Sequence, residues 1–266
     1  MAKSRHFYIR RIHRYLGVIL GIQFLFWTVS GLYFSWSDID EIHGDFQHKQ
    51  PPLLTASFNY VSPSVAISKL PLKADSIKQL QVINILQKPF YNISYYSGKN
   101  LHNILADAVS GNVRDNINKD EAIKIAAESF AGSPEIKEIE YVTAVGKHDE
   151  YREKPLPAWK VTFNHPTNTN VYVAAATGKV ETFRNDRWRI FDFLWMFHTM
   201  DYEGRDDINN WVLRAFSVFG LVTVLSGFLL FFVSTRWYRR KIMGNRQVKR
   251  DKRQETRGNR QVKRDK

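Results

Sequence analysis

Histidine is the residue in this chain whose type and placement could do chemistry. Four of the eight imidazoles stand beside long apolar runs. His13 precedes "YLGVILGIQFLFWTVSGLYFSW" (15–36), and His43 and His48 follow it in "IHGDFQH". His198 lies in "FLWMFHTMDYEGRDD", shortly before "AFSVFGLVTVLSGFLLFFV" (215–233). Imidazole nitrogen is a common metal ligand, and two on one haem iron make an electron-transfer centre. His13 and His198 are therefore candidate ligands of a haem b, and His43 a candidate metal ligand. Plainer roles stand beside these: His13 as an interfacial cation among arginines, His198 as a hydrogen-bonding group where a helix meets the membrane. His6, His102, His148 and His165 read as surface or turn residues.

Other chemistry is hard to find. The chain has no H-E-x-x-H, G-x-S-x-G, phosphate loop or nucleotide-binding glycine fingerprint. It has no cysteine, which excludes disulfides, iron–sulfur clusters, thiolate zinc sites and covalent haem. Asp206 and Asp207 read as a solvated loop.

The two apolar runs must position these histidines. At about 1.5 Å per helical residue the first reaches roughly 33 Å, close to a bilayer core of about 30 Å. Neither run contains a charge, and both are expected to be transmembrane helices. The formal net charge is +13, but it is not spread over a folded face. Residues 1–14 and 236–266 together carry +16, leaving the middle at −3. Basic flanks predict that both ends are cytoplasmic and the middle is outside. They argue against nucleic acid as the partner. The first run is too long for a signal peptide and lacks a clean cleavage signal, so it reads as an uncleaved anchor. Gly17 and Gly21 lie along the stripe of His13. They leave room for a flat macrocycle, or they form a G-x-x-x-G packing face on which the chain dimerises.

Between the spans the sequence repeats itself. "IKQLQVI" (77–83) matches "IKEIEYV" (136–142), and "LADAVSGNV" (105–113) matches "VAAATGKV" (173–180). A short helical segment precedes each copy; the second can be capped by Asn118 or Asp120. Tyr91, Ile93 and Tyr95 alternate in one copy, Trp159, Val161 and Phe163 in the other, which predicts half-buried strands. Gly111 and Gly178 supply the turns. The expected unit is one helix and about three antiparallel strands, twice.

This unit, above all "ADAVSGNV" and "AAATGKV", resembles the PepSY domain. "IHRYLGVILG", "FWTVSGLYF" and "TVLSGFLLFFVS" resemble the PepSY-associated transmembrane family of bacterial membrane proteins. The turn aspartate usual in that family stands at Asp107 in the first copy, but Ala174 replaces it in the second. The resemblance implies an α+β extracytoplasmic domain, two helix-plus-antiparallel-sheet repeats, inserted between two transmembrane helices in a bacterial inner membrane. The expected organisation is a basic cytoplasmic N-terminus (1–14), a first span (15–36), a first repeat with its lead-in (37–115) and a second repeat (116–187). An amphipathic interfacial helix (188–202) follows, with Trp188, Phe191, Leu194, Trp195, His198 and Tyr202 on its stripe, then a second span (212–234). The basic tail (235–266) holds "GNRQVKRDK" twice, at 244–252 and 258–266. It is expected to be disordered and to meet anionic lipid head groups.

Two functions follow as expectations. One is a non-catalytic binding or regulatory module, since PepSY units resemble the inhibitory propeptides of secreted metalloproteases; its partner would be a peptidase or a membrane system. The other is a haem-containing electron-transfer or ferric-siderophore-reducing component of iron uptake. Relatives with more spans are haem-bearing reductases, and "HR-x-LG" at His13 resembles their first-span motif; because two spans carry too few histidines for a bis-His pair on each side, that function would work as a homodimer.

Overall fold

The computed structural model describes residues 5–55, 57–132 and 134–235; the duplicated tail, 236–266, lies outside the described residues. The chain divides into two compact units, residues 1–29 with 207–266, and residues 30–206.

The first unit is helical. Helix α1 is Arg5–Trp36, so it starts ten residues before the predicted span and takes in much of the basic N-terminus. Arginines are good helix formers, and no proline or glycine interrupts them. Helix α6, the last among the described residues, is Trp211–Ser234 and is capped by Asn210, whose side chain accepts from the Leu213 amide. Both helices are long and apolar enough to cross a membrane. Only 17% and 11% of their most apolar windows are buried by protein. A core helix of a soluble fold would be covered, so helices this apolar and this bare fit membrane anchoring.

The second unit carries two antiparallel sheets. After α2 (Ile39–His43) comes α3 (Pro63–Ser68), then β1 (Ser76–Ile85), β2 (Lys88–Ser97), β3 (Asn100–Asp107) and β4 (Val113–Arg114). Then α4 (Lys119–Ser129) precedes β5 (Ile136–Val142), β6 (Ala158–Phe163), β7 (Asn170–Ala174) and β8 (Val180–Arg184), and α5 is Asp186–Thr199. The strand orders are β1-β2-β3-β4 and β5-β6-β7-β8. Each repeat thus has four strands, not about three. The extra strand is the short return after the glycine turn, too brief in the first repeat to show a period.

The two repeats share their hydrogen bonds. The edge strands β1 and β5 are each bulged at the same place, between Ile77 and Gln79 and between Ile136 and Glu138. In the first turn the Gly111 amide donates to the Asp107 carbonyl at 2.8 Å; in the second, Gly178 donates to Ala174 at 2.8 Å. Both glycines have positive φ, 70° and 66°, a conformation that costs other residues roughly 1–2 kcal/mol. Ahead of the helices, the Val61 amide donates to the Ala108 carbonyl and the Ile117 amide to the Ala175 carbonyl. The carbonyls of Val61 and Ile117 in turn accept from the Tyr91 hydroxyl and from Trp159 Nε1. One aromatic donor on the second strand therefore latches each helix entrance to its sheet.

Strand burial is heavier than an alternating pattern predicts. Tyr91, Ile93 and Tyr95 pack with Ala66 of α3, but Phe90 on the opposite face joins Ile85 and Leu105 in a second core. That core is built by α4 (Ala122, Ile125, Ala126) and by Val161, Phe163, Val171, Val173 and Phe183 of the second sheet. β2 is therefore buried on both faces, and all five residues of β7 are buried. The predicted half-burial holds on β6, where Val161 and Phe163 are buried and Lys160 and Thr162 partly exposed, and fails on β2, whose second face joins the core built on α4. The start of α4 is set by Asn118, which forms a capping box with Glu121. Arg114 of β4 grips the same Glu121 at 2.6 Å and holds its carboxyl below the usual range, against the opposing effect of burial.

Candidate functional site

Two of the candidate histidines, His13 and His198, are each engaged by a serine. In the helical unit His13 Nδ1 lies 2.7 Å from Ser226 Oγ. The buried stripe of α1 continues through Leu20 and Gln23, while a Cβ added at Gly17 or Gly21 would meet nothing within 4 Å. His13 thus faces α6, and the two glycines face open space. In the other unit His198 Nδ1 lies 2.9 Å from Ser30 Oγ, with the ring edge-on to Phe34 and stacked on Trp195. Burial pushes its pKa below the ordinary value. His43 ends α2 and is exposed. Among the described residues no three or more His, Cys, Asp or Glu side chains are grouped to hold a metal ion.

Helix α5 ends at Thr199, with Met200 in the left-handed conformation, so Tyr202 falls outside it. Three residues of the predicted aromatic stripe pack on protein. Phe191, Trp195 and His198 surround Phe34 in the last turn of α1. The apolar side chains of α5 left exposed are Ile190 and Phe193.

Sequence reasoning missed the charged cluster on the outer face of the second sheet. β6, β7 and β8 turn Lys160, Thr162, Asn170, Tyr172 and Arg184 to that side, as their register requires. The loop after β5 lays Tyr151 flat on Tyr172, with centroids 4.4 Å apart. Burial, with Glu150 adding to it, raises the Tyr172 pKa well above normal. Glu150 accepts from Tyr172 and Asn170 and is paired with Arg189 at 2.8 Å. Asp192 of α5, only 4% exposed, is held by Arg152 at 2.6 Å and also by Arg205. Arg152 also reaches Asp206 at 3.0 Å. A cavity of about 380 Å³ opens beside this cluster. The only signal in the sequence is Asp192 itself, a lone carboxylate in an aromatic helix, which must be paired if buried.

A second surface is the free edge of the first sheet. Among the described residues β1 pairs with β2 alone, and six of its ten residues are exposed. From Gln79 to Ile85 it carries no charge. A groove of about 390 Å³ runs beside its end, floored by Ile83, Ile85 and Ile125 and walled by Lys49, Pro52 and the turn at Gly178. Asn84 Nδ2 ties this end to the Pro52 carbonyl at 2.6 Å. The equivalent edge strand β5 carries Glu138 and Glu140 where β1 has Gln79 and Gln81.

Two antiparallel sheets, each preceded by a helix, define an α+β domain, and its second repeat has a family. Residues 116–183 match the PepSY family model, peptidase propeptide and YPEB domain. That segment, α4 through β8, is a PepSY domain, and the two apolar helices fit a PepSY-associated transmembrane arrangement. No curated protein and no solved structure matches the chain.

Proposed function

We propose that the chain is a membrane-anchored extracytoplasmic binding module. In this reading both repeats are PepSY repeats, inserted between two spans of a bacterial inner membrane, with both chain ends cytoplasmic. The partner contributes an extended segment that adds to β1, and its side chains enter the groove beside Ile83 and Ile85. The observation that carries this is the unpaired edge of β1, uncharged over the seven residues from Gln79 to Ile85. An unpaired, uncharged edge strand is a template for another chain, and proteins that do not use such an edge block it with charge. The second repeat blocks its own edge in that way. The basic tail would hold anionic head groups on the cytoplasmic side.

A photo-crosslinking residue at Val82, which is 46% exposed, tests the reading in intact cells. Tyr141 is the matched control, at the equivalent place on β5 and 43% exposed. The expected result is a discrete adduct from position 82 alone, lost when Gln79 and Gln81 are both changed to Glu. Equal labelling at both positions, or an adduct that survives the double change, overturns it.

A second reading, a haem-bearing component of electron transfer or ferric-siderophore reduction, draws support from one observation. His13 and His198 both have Nδ1 engaged by a serine, the kind of outer contact that orients a ligating imidazole. Each offers one imidazole, so a six-coordinate iron would take its second from another copy of the chain. Bound haem would supply one-electron chemistry. Full-length protein from haem-replete cells should then be dimeric and show a Soret band that weakens in His13→Ala and His198→Ala; a colourless monomer rejects this reading.

A further inference from the structure

Arg184 is a cation left over from the charged cluster. Its neighbours are spoken for: the Glu150 carboxylate is filled by Arg189, Tyr172 and Asn170, and Asp192 by Arg152 and Arg205. Among the described residues no carboxylate lies within 4.0 Å of the Arg184 guanidinium. It donates instead to two carbonyls, Nε to Glu150 at 2.8 Å and Nη1 to Phe183 at 3.2 Å. Its plane sits 3.9 Å from the centroid of Trp188. Burial pushes its pKa down to about 10, outweighing the charges of Glu150 and Asp192 nearby.

Space adjoins it on two sides. One cavity, about 400 Å³, is shared by Arg184 with Lys154, His43 and His48. The other, about 410 Å³, is shared with Lys154 and Arg152 and extends to Phe191 and Trp195. Those two rings pack on Phe34, in the last turn of the apolar helix α1. Acids line both cavities as well: Glu150, Asp192 and Asp206 are paired with arginines, Glu181 with Lys179 at 3.5 Å, and Asp45 and Glu153 are exposed.

We propose that the niche formed by Arg184, Trp188 and Lys154 binds a phosphate group. The guanidinium, fixed by Trp188 and two carbonyls, offers its remaining N–H edge; Lys154 adds a mobile second cation; the aromatic end accepts a hydrocarbon. A planar guanidinium recognises phosphate oxygens by shape as well as charge. The phosphate comes from a lipid head group or from solution. This proposal does not depend on the β1 edge.

The test uses the full chain in dodecyl maltoside, with thermal unfolding followed as inorganic phosphate or phosphatidylglycerol is added, against chloride at equal ionic strength. The midpoint should rise by several degrees and saturate, as for a ligand that binds only the folded state. Lys154→Glu, at an exposed position, and Arg184→Lys, which keeps the charge but loses the fork, should each weaken the apparent affinity at least tenfold. The basic tail is the same in every variant and cancels from that comparison. A rise with both additions, or with phosphate alone, marks a site open to the free anion; a rise with the lipid alone marks a head-group site. No rise with either, or a rise unchanged in both variants, overturns the proposal.

Discussion

The two repeats share a backbone and differ in nearly everything that faces outward. Both have the bulged edge strand, the six-residue glycine turn and the aromatic latch to the helix entrance. Yet Tyr91 latches one and Trp159 the other. In the first turn the Asp107 carboxylate accepts from the Val109 and Ser110 amides, whereas Ala174 offers no such oxygen and the Thr177 hydroxyl accepts from the Lys179 amide at 3.3 Å. The first helix has six residues and no side-chain cap; the second has eleven and a capping box. What the architecture requires is the hydrogen bond, and any donor that reaches will serve. Conservation of the latch alongside divergence of the edges means that scaffold and binding surface are separable here, with the open edge left to the first repeat.

The largest test of that separation is the latch. Trp159→Ala removes a ring packed against the main core together with its hydrogen bond and should cost about 3–5 kcal/mol. Tyr91→Phe, which removes only the hydroxyl, should cost about 1–2 kcal/mol. Denaturant unfolding of the full chain in micelles measures both; a loss under about 1 kcal/mol for Trp159→Ala would show that the latch is dispensable. Next come the turns. Gly111→Ala and Gly178→Ala should cost about 1–2 kcal/mol each for the positive φ. A little more is expected where the new Cβ would sit 2.8 Å from Val65 Cγ1 or 2.9 Å from Ile85 Cδ1. Unequal losses would mean that the repeats do not share the turn.

Acid should separate the repeats more finely. Burial works to raise the pKa of Asp107, but the Ser110 and Val109 amides outweigh it and hold it below the ordinary aspartate value. A depressed carboxylate adds stability above its unfolded pKa and loses it as pH falls through the folded value. Amide exchange in the turn at 107–112 should therefore quicken below about pH 4, while the turn at 174–179 stays unchanged. Asp107→Ala should abolish the difference. The smallest effect is expected from Gln79→Glu with Gln81→Glu, which gives β1 the charges of β5. On an exposed edge it should move stability by no more than about 0.5 kcal/mol while abolishing the adduct at Val82.

Much of the sheet unit is legible in the chain because its signals are local. Gly111 and Gly178 stand where only a left-handed residue closes the turn. Asn118 and Glu121 carry the helix start three residues apart, and the match of 77–83 with 136–142 foretells even a shared bulge. The burial of β2 on both faces is not legible, since Phe90 meets α4 only after two repeats have stacked. The stripe of α5 has helical spacing whether it faces lipid or Phe34, so the pattern alone does not choose.

The candidate sites divide on the same line. Sequence by itself determined the two apolar helices, the tandem helix–sheet plan, the glycine turns and the positions of the histidines, because each depends on residues within a few steps of one another. Tertiary structure alone decided that Glu150 consumes Arg189, that Asp192 consumes Arg152 and Arg205, and that Arg184 is left against Trp188 without a carboxylate. It also decided that β1 ends a sheet rather than lying within one. Ion pairing and edge exposure are set by which distant segments fold side by side, and no local period in the chain encodes that.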